Sequence, residues 1–311
     1  MGNPFYYSRL HSDQAKRFYI GIIKQITEGK EESWMPLLNT EKACQDVDQA
    51  VSAVMLDHPE FFFLNKEYHM LLKNTGTMLF RWKWLYPKVQ CRDMQRHLNE
   101  LLVRLTRPSE YYLNDWEREL NLYERIAKGK QYVDSGAFED HTIVNPLLQG
   151  RGVCDGYAKL FAIAARKLKI PAIVICGRGH KENHLWNAVQ IQRRVYHVDV
   201  TWENVCDGHC AFDYFNLNDM EISADHSSFL RISPSFDSGG FHRHNGCYYE
   251  NMSKFIRQTT WKMLKGDPVI HARLSWNAGK ITPSTLINTG PYSYCSQLNE
   301  GQNTLMLVRE L

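Results

Sequence analysis

The stretch Gly152-Val153-Cys154-Asp155-Gly156-Tyr157-Ala158 decides the fold, because it leads from a glycine-flanked loop into a helix. The apolar residues after it recur at helical spacing, and they are Tyr157, Leu160, Phe161, Ala164 and Leu168. The pattern ends before Pro171, and residues 172–176 then form a short β-branched run closed by Gly177. That run predicts a buried strand directly after the helix.

A strand–turn–strand pattern follows this strand. Residues 184–191 and 195–200 flank the turn Gln192-Arg193-Arg194. With the turn centred on Gln192-Arg193, the antiparallel register places His184 opposite residue 201 and therefore close to Asp199. One helix followed by several antiparallel strands predicts an α+β domain, which we place at residues 135–311.

The preceding residues 1–134 are predicted to form a mainly helical N-terminal region. Three apolar stripes of helical spacing end at Pro59, at Pro108 and before Gly129. Beyond the strand–turn–strand, residues 231–246 are rich in Ser, Gly, Pro and His and predict a loop. A helix over 249–264 and a last strand over 304–308 complete the expected domain.

Composition limits the class of protein. Hydrophobic residues make up 43% and charged residues 23%, which is typical of a globular protein. The net charge of +3 is too close to neutral to indicate a nucleic-acid partner. We find neither a signal segment nor an apolar run of about 18 residues, so we expect a cytoplasmic protein with no membrane partner and reduced cysteines. The oligomeric state stays open.

Cys154, His184 and Asp199 occur in the order and context that nucleophilic catalysis requires. Cys154 stands at the start of the predicted helix, where the helix dipole favours a thiolate. Glycines 152 and 156 are expected to let the backbone approach a substrate carbonyl. His184 is the candidate base, and a carboxylate at Asp199 would hold its tautomer. Together they predict acyl transfer from an amide of a protein or peptide substrate.

These residues also carry a family resemblance. The segment 152–158 around Cys154, the motif His184-x-Trp186-Asn187 and the motif Asp199-x-Thr201-Trp202 resemble the core of the transglutaminase-like superfamily in its compact bacterial form. Residues 213–217 and Asp225-His226 resemble the tail of that core. The resemblance implies a papain-like fold with Cys154 as nucleophile, His184 as base and Asp199 as the orienting residue. Family members include cross-linkers, deamidases, amide hydrolases and proteases, so the resemblance does not select one reaction.

Three further residues are candidates for supporting roles. His141 lies shortly before Cys154, where the family resemblance implies a polar side chain that helps to hold an oxyanion. A histidine of a surface loop is an equally good interpretation. Trp186 and Trp202 are candidates for walls that keep water from the site, and ordinary core packing is the alternative for both.

No cofactor is predicted. The chain contains no acidic loop of the Asp-x-Asp-x-Asp kind, so we expect no calcium requirement. A second cluster could bind zinc, and its members are Cys206, His209, Cys210, His242, His244 and Cys247. Because its spacing is not that of a common zinc motif, unconnected loop residues are the favoured interpretation. A zinc-dependent hydrolase and a non-enzymatic binding module are the alternatives to the cysteine enzyme.

Overall fold

This computed structural model contains both helices and strands, and it describes residues 4–73, 76–228, 230, 232, 240–281 and 291–310. The α-helices of these residues are α1 (Asp13–Thr27), α2 (Ala43–Asp57), α3 (Lys88–Thr106), α4 (Asp115–Gly129), α5 (Val144–Gln149), α6 (Cys154–Lys167), α7 (Asp219–Ile222), α8 (Phe241–His244) and α9 (Met252–Lys265). The strands are β1 (Glu32–Pro36), β2 (Leu64–Lys73), β3 (Thr77–Trp84), β4 (Gln131–Tyr132), β5 (Arg151–Gly152), β6 (Ala172–Gly179), β7 (Glu182–Ile191), β8 (Arg194–Val198), β9 (Val205–Cys206), β10 (His209–Cys210), β11 (His226–Ser227), β12 (Tyr248–Tyr249), β13 (Val269–Leu274), β14 (Tyr294–Asn299) and β15 (Thr304–Arg309).

The chain forms two compact units. The first unit takes in the chain up to Glu110 together with Gln131–Val174, and the second takes in Tyr111–Lys130 and Ile175–Leu311. The predicted domain boundary between residues 134 and 135 stays a prediction. None of the helices in the described ranges is long and apolar enough to cross a bilayer.

In the first unit, helices α1 and α2 share a core with a three-stranded antiparallel sheet of order β1-β3-β2. The Ser12 side chain caps α1 by accepting a hydrogen bond from the Ala15 amide, and Phe18 and Ile22 then face the core. Strand β3 places Phe80 and Trp82 on the buried side, because alternate residues of a strand share one face.

The mainly helical prediction for residues 1–134 is confirmed by α1 to α4, but it missed this sheet. The side chains of Met78, Phe80 and Trp82 alternate with exposed or half-buried residues at a period of two, which is typical of a half-buried strand. The end of the third predicted helix also differs slightly. Gly129 is the last residue of α4 rather than the residue after it.

The second unit contains two four-stranded sheets. One has the order β11-β6-β7-β8, where the last residues of β6 belong to this unit, and the other has the order β12-β13-β15-β14. In the first sheet, β7 and β8 pair antiparallel with Asn187 opposite Val198, which is the register predicted from the turn. Gln192 and Arg193 both have positive φ, as a tight hairpin turn of two residues requires.

The mixed helix-and-sheet architecture confirms the α+β prediction. The helix predicted to begin at Cys154, the β7–β8 hairpin, the helix near 249–264 and the last strand are all present, as α6, β7 and β8, α9 and β15. The loop predicted at 231–246 lies partly outside the described residues. Within it, Phe241–His244 forms the short helix α8.

Candidate active site

Cys154 is the first residue of α6 in the first unit, and its side chain is half-buried. Val153 precedes it in an extended conformation and donates its amide to the Asp140 carbonyl oxygen, at 3.2 Å. The sulfur therefore belongs to a helix N-terminus, where backbone N–H groups and the helix dipole favour negative charge. This is the position that the sequence predicts for the nucleophile.

The glycines beside Cys154 have a packing role that the sequence does not reveal. A side chain at Gly156 would clash with the carbonyl oxygens of Asp140 and Thr142, and one at Gly152 would crowd the Pro146 ring. These glycines therefore make room for the chain's own loop over 140–143 and for the start of α5, which pack against the start of α6. The prediction that they also admit a substrate carbonyl stays a prediction.

His141 lies in that loop and pairs with the residue after the cysteine. Its Nδ1 is 2.8 Å from Asp155 Oδ1, and its side chain is 35% exposed. Lys159, one turn further along α6, donates to the His141 carbonyl oxygen at 2.6 Å and lies 3.5 Å from Asp155 Oδ2. The loop is thus attached to the first turns of α6, and the oxyanion role of His141 stays a prediction.

His184 and Asp199 are brought together in the second unit. His184 Nε2 lies 2.7 Å from Asp199 Oδ2, and both side chains are almost completely buried. His184 stands on β7 and Asp199 directly follows β8, so the register of the hairpin places them side by side. Because an ionised carboxylate only accepts hydrogen bonds, the proton in this contact belongs to Nε2. The tautomer of His184 is thereby defined.

The Asp199 carboxylate is held at both oxygens. Its Oδ1 accepts from the amide of Thr201 at 2.8 Å and from the amide of Trp202 at 3.4 Å. Burial alone would raise the pKa of Asp199, but the charges and hydrogen bonds of His184 and His226 outweigh burial and hold this pKa below its usual range. Asp199 is therefore a fixed anion beneath the imidazole.

Trp186 and Trp202 both lie next to His184. Trp186 is fully buried, and its indole N–H donates to His197 Nδ1 at 3.1 Å. Trp202 is half-buried, with its ring centroid 4.7 Å from that of His184 and 4.6 Å from that of the exposed His180. Trp202 thus separates His184 from a more exposed part of this unit, whereas Trp186 is a core residue with a satisfied N–H. Their role in excluding water stays a prediction.

The structure adds a residue that sequence reasoning did not assign to the site. His226 Nε2 lies 3.2 Å from the same Asp199 Oδ2 that accepts from His184, and His226 Nδ1 lies 2.5 Å from Asp225 Oδ1. The pair Asp225-His226 stands out in the sequence only as part of a family-like tail. Its contact with Asp199 depends on the pairing of β11 with β6, which the motif does not reveal.

The same residues also offer the donor atoms of a metal site. His184, Asp199 and His226 form the one group of three close ligand atoms among the described residues. Two ligands of a tetrahedral zinc ion lie about 3.3 Å apart, since each bond is about 2.0–2.1 Å. The 2.7 Å between His184 Nε2 and Asp199 Oδ2 is shorter and fits a shared proton. These residues therefore fit a hydrogen-bonded pair better than a metal centre.

The alternative zinc cluster does not assemble in the described part of the chain, which includes all six of its residues. Cys206 instead has its sulfur 3.8 Å from that of Cys295, and His244 stacks on Trp116 at 3.7 Å between ring centroids. His242 is buried, and burial holds its pKa well below the usual range. The favoured interpretation, unconnected residues, agrees with these separate surroundings.

Comparison with known proteins places the site in a family. Residues 101–202 match the family model described as the transglutaminase-like superfamily. All six residues that the sequence marks for the site lie in that range, and His226 lies outside it. No curated protein matches the chain.

Three solved structures show distant similarity. One is a TGase, 14% identical, over 57% of this chain and 52% of that chain, with a TM-score of 0.32. The second is a candidate cysteine protease from Cytophaga hutchinsonii, 15% identical, over 44% of this chain and 62% of that one, at 0.31. The third is a candidate protease from Parabacteroides distasonis, 10% identical, over 42% of this chain and 35% of that one, at 0.28.

This chain thus covers less than two thirds of each of these relatives. The family model, rather than the distant structures, carries the assignment. It confirms the resemblance that the three motifs indicate: residues 101–202 of this chain match the model of the transglutaminase-like superfamily.

Proposed function

We propose that the chain is a cysteine-dependent acyl-transfer enzyme that acts on amide bonds of a protein or peptide. The observation that carries the proposal is the buried pair of His184 Nε2 and Asp199 Oδ2 at 2.7 Å, inside the region that matches the family. Cys154 at the start of α6 supplies the nucleophile that such a pair requires. Cys154, His184 and Asp199 then act as nucleophile, base and orienting carboxylate.

The proposed reaction has two balanced halves. The Cys154 thiolate adds to the amide carbonyl carbon, the C–N bond breaks, and the nitrogen leaves after taking a proton from His184. The resulting thioester is attacked by water or by an amine, whose proton returns to His184 while the C–S bond breaks. Attack by water yields a carboxylate, whereas attack by an amine yields a new amide. Asp199 keeps the proton of His184 on Nε2, so that Nδ1 exchanges protons with the reactants.

His141, Trp186 and Trp202 take supporting roles in this proposal. His141 is attached to the first turn of α6 through Asp155 and would donate to the oxyanion that forms near Cys154. Trp202 covers His184 from the side of the exposed His180 and would limit the access of water. The chemistry needs reduced Cys154, which a reducing compartment such as the cytoplasm maintains.

The first test is a product analysis. A peptide library is incubated with the protein and with Cys154→Ser as the matched control, and the peptides are compared by mass spectrometry. Deamidation adds about 1 Da, cross-linking releases one ammonia for each bond formed, and proteolysis creates new termini. Any of these changes that depends on Cys154 supports acyl transfer. No change with any peptide or protein tested points to a binding module.

The second test measures the reactivity of Cys154 itself. Limiting iodoacetamide at about pH 6 is expected to alkylate Cys154 before the exposed Cys44 and Cys176, because a thiolate is the reactive form. Burial raises the pKa of Cys247 to about 11, so this thiol should stay silent. Peptide mapping identifies the labelled site. Equal alkylation of Cys154 and the exposed cysteines, or no alkylation of Cys154 in the folded protein, contradicts the proposal.

A further inference from the structure

His226 opens strand β11, and its side chain is completely buried. The strand pairs antiparallel with β6, with His226 opposite Gly179. Aromatic rings surround the imidazole, and the nearest belongs to Trp202, with 4.4 Å between ring centroids. The backbone pairing and the ring contacts leave the His226 side chain one well-defined position.

Both ring nitrogens of His226 face carboxylate oxygens. Nδ1 lies 2.5 Å from Asp225 Oδ1, and Nε2 lies 3.2 Å from Asp199 Oδ2. Ionised carboxylates only accept hydrogen bonds, so two such contacts require a proton on each nitrogen. Burial would lower the pKa of His226, but the two carboxylates outweigh burial and raise this pKa above its ordinary value. The arrangement is that of a buried imidazolium between two anions.

Asp225 is itself held in place, so it can serve as the fixed end of this arrangement. Its Oδ2 accepts from the Tyr214 hydroxyl and from Gln302 Nε2, each at 2.9 Å. The titratable groups that face His226 are therefore Asp225, Asp199 after β8, His184 on β7 and the Tyr214 phenol. A continuous series of hydrogen bonds thus connects Gln302, Asp225, His226, Asp199 and His184.

We propose that His226 is a positioning residue that fixes the Asp199 carboxylate beneath His184 and offsets part of its charge. This inference rests on the proposed function, since it deepens the role of the same carboxylate. His226 and His184 compete for one oxygen, Asp199 Oδ2, so the donor from His226 limits the rotation of the carboxylate. The sequence motifs alone assign Asp199 as the orienting residue, and the structure shows what orients Asp199.

The charge of His226 has a measurable consequence for His184. The two ring centroids are 5.2 Å apart. A positive charge at that distance disfavours a second positive charge on His184, by about two pH units at an effective dielectric constant near 20. His226 thus keeps the proton on His184 transferable, where Asp199 alone would hold the imidazolium too firmly. An uncharged histidine at this position would have no such effect.

The test follows the titration of His184 in the whole protein by NMR of ¹⁵N-labelled histidine rings. His226→Gln keeps an N–H donor but removes the charge, so the His184 midpoint is expected to rise by about two pH units. Asp225→Asn removes a negative charge while Asp199 still holds His226, so the midpoint is expected to fall. His271→Gln is the matched control, because it removes another histidine of the second unit, half-buried on β13, that makes no hydrogen bond or ring contact with these residues.

Opposite shifts in the two variants support the inference, and so does a wild-type His226 that keeps both protons through neutral pH. An unchanged midpoint in folded His226→Gln, or a shift in the same direction in both variants, overturns it. If Gln at position 226 does not fold, Asp225→Asn and the wild-type signals still decide. Cys154 labelling in the wild type is recorded in parallel. Without selective labelling the proposed function fails, whereas selective labelling with an unresponsive His184 defeats the inference alone.

Discussion

Two histidine–carboxylate pairs, one in each unit, have almost the same length and very different surroundings. His141 and Asp155 are 2.8 Å apart in the first unit, and His184 and Asp199 are 2.7 Å apart in the second. The His141 side chain is 35% exposed, whereas the His184 side chain is 5% exposed. Water and salt screen the first pair, and the second lies where electrostatic interactions are strongest.

The partners of the two carboxylates differ in the same way. Asp155 is shared between His141 and the long side chain of Lys159. Asp199 is held by the Thr201 amide and by a buried His226 as well as by His184. Hydrogen-bond length alone therefore does not mark a functional pair. Burial with every acceptor position occupied gives a carboxylate the fixed geometry that catalysis requires.

The largest expected effect is on the reactivity that depends on Asp199. Asp199→Asn keeps the size of the side chain, but its amide cannot accept two imidazole donors at one charged oxygen. His184 then loses its defined tautomer, and any Cys154-dependent activity is expected to fall by about 10³–10⁴-fold, the size seen when a triad carboxylate becomes an amide. The rate of product formation, with Cys154 labelling beside it, measures the effect.

Asp219→Asn is the matched control for this substitution. Asp219 Oδ1 is 2.8 Å from His197 Nε2, so it is another histidine–carboxylate pair of the second unit, but the Asp219 side chain is 40% exposed. This control is expected to change activity by less than about threefold. Equal losses in both variants would show that burial does not distinguish the pairs.

The second effect is on stability in acid. The folded protein holds the pKa of Asp199 below its usual range, so the unfolded chain takes up a proton at this carboxyl first as the pH falls. Its contribution to stability is therefore present above about pH 4, where the unfolded carboxyl is ionised, and is lost as the pH falls further. Measured by urea unfolding, the free energy of unfolding should fall less between pH 5 and pH 3 in Asp199→Asn than in the wild type. Parallel curves would contradict this.

The third effect concerns a buried carboxyl of the opposite kind. Burial raises the pKa of Glu119 on α4 to about 8. Its Oε2 accepts from Asn216 Nδ2 at 2.8 Å, while Glu119 Oε1 and Asn216 Oδ1 have no hydrogen-bond partner among the described residues. A protonated Glu119 can donate to such an acceptor, so the folded protein favours the neutral acid.

Because the folded pKa of Glu119 lies above the unfolded one, its contribution is complete below about pH 4.5 and is lost as the pH rises through about 8. Glu119→Gln imitates the neutral acid and should be more stable than the wild type at pH 8.5 by about 4 kcal/mol, and by only about 1 kcal/mol at pH 5. Chemical unfolding at the two pH values measures it. Glu124→Gln on the same helix is the control, and an equal gain there would remove the explanation.

Particular elements show how far sequence reasoning reaches. The β7–β8 hairpin was predicted with its register, because a short turn between two β-rich runs leaves few pairings. The β2–β3 hairpin was missed although Met78, Phe80 and Trp82 alternate clearly. The helices on either side of this hairpin, α2 and α3, have strong apolar stripes. These stripes favour a helical interpretation of the whole region. The sequence therefore contains the period-two signal of strand β3, but the helical stripes beside it are stronger.

The site divides in the same manner. The pairing of His184 with Asp199 follows from the hairpin register, so it could be predicted. The contact of His226 with Asp199 joins strand β11 to the residue after β8, at opposite edges of one sheet. No local sequence pattern encodes this contact. Gly156 illustrates the same limit, because the carbonyl oxygens that exclude a side chain there come from a separate loop. Tertiary contacts decide both.

The smallest expected effect is on stability at the exposed pair. His141→Ala removes the contact with Asp155, yet the exposed histidine can be replaced by water and Asp155 keeps Lys159 as a partner. The free energy of unfolding should therefore fall by less than about 1 kcal/mol. A double-mutant cycle with Asp155→Asn should give a coupling of similar size, whereas the corresponding cycle for His184 and Asp199 should exceed it several-fold.

If His141 also holds the oxyanion, His141→Ala loses activity by about 10²-fold or more while stability barely changes. A loss of stability above about 2 kcal/mol, or coupling energies of equal size in the two pairs, would show that exposure does not separate them.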